Sequence, residues 1–126
     1  MLADCKAVAF VNVLDLDRAR AFYEGDLGLT VLMQDGFAVM AEAGGVPVRI
    51  ALAPERQAAP HTVLGFQVED IAGKVQALKA RGVTFERYAF LGEAQDGEGV
   101  WTAPSGAKVA WFKDPDGNLL SLAQMG

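Results

Sequence analysis

A chain of 126 residues, 52% of them hydrophobic, can bury the core of one domain and is too short for two of ordinary size. Eleven basic residues against sixteen acidic ones give a formal charge of −5, with no basic cluster, which argues against a nucleic-acid partner. The single Cys5 cannot close an internal disulfide and no apolar run reads as a leader or a membrane span, so a reducing cytoplasm is the expected compartment.

Residues Ala7 to Val13 are apolar and β-prone apart from Asn12, and Asp15-Leu-Asp-Arg follows them. Asp15 can cap free amides and Asp17 suits a first turn, so a strand is predicted to hand over to a helix near Asp15. In that helix Leu16, Ala19, Phe22 and Tyr23 recur at helical spacing until Gly25 and Gly28 end it. Three short strands should follow as an antiparallel meander, near Leu29 to Gln34, Phe37 to Glu42 and Val48 to Ala53. Asp35-Gly36 and Gly44-Gly45 mark the turns between them.

Pro54 to Pro60 is polar and bounded by prolines, as a linker would be. The opening pattern then returns: Thr62-Val-Leu-Gly-Phe-Gln-Val-Glu-Asp-Ile lays over Ala7-Val-Ala-Phe-Val-Asn-Val-Leu-Asp-Leu without a gap. A second helix is expected over Ile71 to Ala80, ending at Arg81-Gly82, then strands near Val83 to Tyr88 and Gly99 to Ala103. Phe90 to Glu98, with its glycines and acids, reads as the loop most free to move. A closing hairpin runs from Val109 to Gln124. Its Asp114-Pro-Asp-Gly-Asn118 turn should set Trp111 opposite Ser121 and Val109 opposite Ala123 on one face, with Lys108, Ala110, Phe112, Leu120 and Leu122 on the other.

Self-comparison therefore yields an α+β fold of two tandem βαβββ modules, about 6–53 and 62–124, joined by a linker at 54–61. Each small sheet has an apolar face that needs covering, so pairing the two modules, or the same modules across a dimer, should form a curved mixed sheet around a cavity. Strand parity puts Val11 and Val13 under the first helix and turns Val8, Phe10 and Asn12 inward, with Val63, Gly65 and Gln67 in the matching places.

The helix segment Asp15-Leu-Asp-Arg-Ala-Arg-Ala-Phe-Tyr-Glu-Gly-Asp-Leu-Gly-Leu29, the repeat at Phe66-Gln-Val-Glu-Asp70 and the end Trp111-Phe-Lys-Asp-Pro-Asp-Gly-Asn-Leu-Leu-Ser-Leu122 resemble the vicinal oxygen chelate superfamily of glyoxalases, bleomycin-resistance proteins and extradiol dioxygenases. The resemblance implies paired βαβββ modules, a homodimer, and a cavity used for binding or for metal chemistry. It also implies where a metal would be held: a His, Gln or Glu on each opening strand and a Glu on the last. Those positions fall on Val8, Val63 and Ser121 in this chain, and no carboxylate or imidazole stands near Arg49 to Ala51. Aliphatic carbon has no lone pair to offer a cation, so no metal and no cofactor is expected. His61, the only histidine, has no acid or thiol at a ligand spacing and reads as a linker side chain.

What remains is an apolar, aromatic pocket with a few oriented polar groups. Its expected lining is Val8, Phe10, Asn12, Phe37, Arg49, Val63, Gln67, Trp101, Trp111 and Ser121, with Tyr88 and Phe90 available from the loop. The expected partner is a small hydrophobic or aromatic molecule, bound for sequestration or sensing, and neither nucleic acid nor membrane. The rival reading is an enzyme, either a glyoxalase-like lyase or isomerase whose metal donors come from unexpected positions, or a metal-free catalyst using Tyr88, His61 or a loop acid.

Overall fold

The computed structural model describes residues 1–55 and 59–126, so part of the expected 54–61 linker, 56–58, lies outside the described residues. Two compact units divide the chain, Met1–Gln57 and Ala58–Gly126. Each is a strand, a helical segment and further strands that form one mixed four-stranded sheet.

In the first unit, β1 (Ala9–Val13) leads into a helix, α1 (Leu16–Arg20). Asp15 caps it: the Arg18 amide donates to its Oδ1 at 3.0 Å. From Ala21 to Asp26 the helix widens into a π turn, closed where the Leu27 amide donates to the Phe22 carbonyl. Helical spacing alone predicts no such turn. The extra residue in the π turn lets the adjacent Phe22 and Tyr23 both bury, with their rings edge to face at 5.2 Å. Three strands follow: β2 (Thr30–Gln34), β3 (Ala38–Ala43) and β4 (Val46–Leu52), in sheet order β1-β4-β3-β2. Asp35 turns the chain by accepting from the Phe37 and Ala38 amides, and Gly44 and Gly45, both at positive φ, make the tight turn that pairs Ala43 with Val46. The last strand thus begins two residues before its expected start. Val11, Val13, Val39, Ala41, Val48 and Ile50 point to the helix side and are buried.

The second unit repeats the plan with β5 (Leu64–Gln67), α2 (Ile71–Ala80), β6 (Trp101–Thr102), β7 (Lys108–Lys113) and β8 (Leu119–Gln124), in order β5-β8-β7-β6. The helix occupies its expected span, capped by Asp70 through the Gly73 amide. Ile71 and Val75 pack toward the buried Ala110, Phe112, Leu120 and Leu122.

The expected strand at Val83 to Tyr88 is not formed, and that at Gly99 to Ala103 shrinks to two residues. Instead the outer edge of β7 is shared. Trp101–Thr102 pairs with Lys108 and Val109, while Phe85 bridges Phe112 and the Glu86 amide donates to the Trp111 carbonyl. A 3-10 segment, Ala89–Ala94, occupies most of the stretch expected as a free loop.

Candidate functional site

On the first sheet, the face turned away from α1 carries Phe10 and Asn12 of β1 beside Arg49 and Ala51 of β4. Arg49 reaches across to Met40, its Nη1 lying 3.6 Å from the sulfur. Phe10 is 60% exposed, and Val8, just before the strand, is also exposed. Phe37 does not join this group by register. It stands opposite Leu52, in step with Val39 and Ala41 on the helix-side parity.

The open face of the second sheet is built in two rows. Gly65, Ser121 and Trp111 lie side by side across three strands; Gln67, Ala123, Val109 and Trp101 form the next row across four. The registry comes from the hairpin turn: Asp114 accepts from the Asp116 and Asn118 amides and the Asn118 side chain, and Gly117 takes a φ of 83°. Trp111 therefore stands opposite Ser121 as the turn chemistry predicts. Val63 sits just before β5, its amide donating to the Leu119 carbonyl.

Around Trp111 the rings accumulate. The Trp101 and Trp111 rings are 6.1 Å apart and tilted by 32°, and Tyr88 meets Trp111 edge to face at 5.4 Å. Phe90, 85% exposed, lies 5.7 Å from Tyr88. Two mutually tilted indoles, with a phenol edge-on to one of them, make a corner suited to a flat ring system, which can stack on one wall and meet the other at its edge. Loss of hydration and the nearby Glu86 carboxylate push the Tyr88 hydroxyl above its usual pKa, so it stays a neutral donor. At the rim, Lys113 pairs with Glu86 at 3.3 Å.

Among the described residues no three His, Cys, Asp or Glu side chains gather into a group able to hold an ion, and the three ligand positions that the resemblance marks are two valines and a hydroxyl. His61 is exposed. A separate cleft of about 450 Å³ lies between the end of α2 and residues 97–99, but its Lys79 is engaged by Glu98, which also binds Gln76.

Sequence reasoning missed one residue of this region, Gln95, which is buried, bridges Trp101 through its backbone and accepts from the Tyr88 amide through its side chain. Nothing in its neighbourhood of glycines and acids signals it.

The family model described as Glyoxalase/Bleomycin resistance protein/Dioxygenase superfamily matches residues 6–122. Among solved structures, a superfamily member from Sphaerobacter thermophilus is similar at 22% identity and a TM-score of 0.75, over 98% of this chain and 99% of that one. A glyoxalase family protein from Enterococcus faecalis matches at 22% identity and 0.74, with coverages of 98% and 99%. A lactoylglutathione lyase from Agrobacterium tumefaciens matches at 18% identity and 0.73, with coverages of 96% and 93%. No curated protein matches the sequence.

Proposed function

The chain belongs to the glyoxalase/bleomycin resistance protein/dioxygenase superfamily, and from that premise we propose that it binds a small planar molecule without a metal ion, for sequestration or sensing. One observation carries the reading. Where metalloenzymes of such a fold need a ligand on the last strand, this chain has the hydroxyl of Ser121, and beside it the rings of Trp111, Trp101 and Tyr88 form a corner. Ser121 and Gln67 supply the polar contacts that orient a ligand on an apolar face. The charge of −5 favours a neutral or cationic ligand, weakly once salt screens it.

The protein works as a homodimer in a reducing compartment on this reading. Exposed Val8, Phe10, Leu32 and Met33 on the first unit support the dimer, and the single exposed thiol of Cys5 suits the compartment. A monomeric mass in solution would count against the first.

Metal analysis of the purified protein combined with tryptophan fluorescence tests the proposal. The expected result is far less than one metal per chain, with saturable quenching by planar heterocycles. Stoichiometric Zn, Ni, Mn or Fe, or no quenching by any of them, overturns it. The neutral Tyr88 hydroxyl supports a second reading, a metal-free lyase or isomerase with Tyr88 as proton donor. That reading requires turnover that Tyr88→Phe abolishes while ligand affinity is kept.

A further inference from the structure

Gln95 is 4% exposed. Its amide nitrogen donates to the Glu86 carbonyl at 2.9 Å and the Gly99 carbonyl at 3.0 Å, and its amide oxygen accepts from the Tyr88 amide at 2.9 Å. Its backbone bridges Trp101. These partners belong to, or adjoin, the two short segments that share the outer edge of β7, so a single side chain ties together what a continuous strand would hold with a backbone ladder. Arg87 adds a tie to the Asp96 carbonyl, but that one is exposed and water competes for it. No residue of the 3-10 segment that carries Phe90 is buried, so packing holds it weakly.

We infer that Gln95 is the positioning residue of the aromatic corner: it sets where Tyr88 and Phe90 stand against Trp101 and Trp111, and thereby the size of ring system the face accepts. This rests on the ligand-binding reading above. Leucine has similar volume but leaves the two carbonyls and the Tyr88 amide without their partner. Glutamate restores a donor only when protonated, since its carboxylate would face two carbonyl oxygens.

The test compares the full chain with Gln95→Leu and Gln95→Glu, by near-UV circular dichroism without ligand and by calorimetric titration with quinoline and with acridine, the same heterocycle enlarged by one ring. With Gln95→Leu the tryptophan bands should change while the far-UV spectrum is kept. Acridine affinity should fall about tenfold, with quinoline affected less. With Gln95→Glu both bands and affinity should recover as the pH is lowered, which loss of packing alone would not produce; this variant also serves if the leucine protein does not fold. Unchanged bands, an unchanged ratio of the two affinities, or no recovery on acidification overturns the inference. If neither probe binds the unaltered protein, the ligand-binding reading and the size selection fall together, while the ligand-free bands still decide whether Gln95 positions the rings.

Discussion

The Ser121 hydroxyl lies 3.2 Å from the point where a β-carbon on Gly65 would stand. These two residues are partners across the parallel pair β5–β8, in the row that continues to Trp111. Glycine there leaves room for the hydroxyl. Two effects oppose each other in Gly65→Ala: a less flexible unfolded chain stabilises by about 0.4–1 kcal/mol, and the crowded contact with Ser121 costs a similar amount. The single change should thus be nearly neutral, whereas in a Ser121→Ala background it should stabilise by about 0.5–1 kcal/mol. A denaturant double-mutant cycle that finds the two changes additive would show that the hydroxyl does not crowd this position.

Trp111 touches two rings and Trp101 one among those described here, so their truncations should differ. Each ring pair contributes about 0.5–1.5 kcal/mol beyond the area it buries. Trp111→Leu should therefore cost about 1–3 kcal/mol of stability in denaturant titrations and remove most quenching by a bound heterocycle. Trp101→Leu should cost less and weaken binding without removing it. Equal effects from both would mean that the corner is not centred on Trp111.

Where structure is decided locally, the sequence was readable. Asp114, Pro115 and Gly117 determine the hairpin turn by their own backbone preferences, and that turn alone puts Trp111 opposite Ser121. Asp15 and Asp70 announce their helices through short-range caps. The π turn was not readable, because it answers the burial of both Phe22 and Tyr23 and not any pattern in the helix. Nor was the divided edge of β7, since Val83 to Tyr88 has the composition of a strand and yields to the bridge at Phe85 and the side chain of Gln95. Strand parity turned Phe10 and Asn12 away from the buried Val11 and Val13, as the register of β1 on β4 has them, but it said nothing of Phe37, whose place opposite Leu52 follows from the pairing of β3 with β4.

The turn that sets the last hairpin depends on a buried carboxylate. Asp114 is 5% exposed and accepts from the Asp116 amide, the Asn118 amide and the Asn118 side chain at 2.7–2.9 Å. Asp114→Ala leaves those donors without their acceptor, at a cost of about 2–4 kcal/mol. Asp114→Asn keeps one acceptor oxygen and should lose about half as much. Thermal unfolding should rank the three proteins in that order, and an alanine variant as stable as the unaltered chain would refute the assignment.

Two exposed carboxylates should shape the acid limb of stability, and salt should tell them apart. Hydrogen bonds from Lys79 and then Gln76 hold Glu98 below its usual pKa of 4.5, while the Phe37 and Ala38 amides hold Asp35 below its usual 3.8. In both cases the folded pKa is the lower one, so the unfolded chain takes up the proton first. Each contribution is present above the unfolded value and is lost as pH falls through the folded value. The Glu98 interaction is largely an exposed ion pair with Lys79, so it weakens with added salt. That of Asp35 comes from backbone amides of its own turn, so salt leaves it nearly unchanged. Glu98→Gln should flatten the acid limb at low ionic strength and match the unaltered protein at high ionic strength; Asp35→Ala should lower stability at both. If the two variants respond alike to salt, the ion pair is not what lowers the pKa of Glu98.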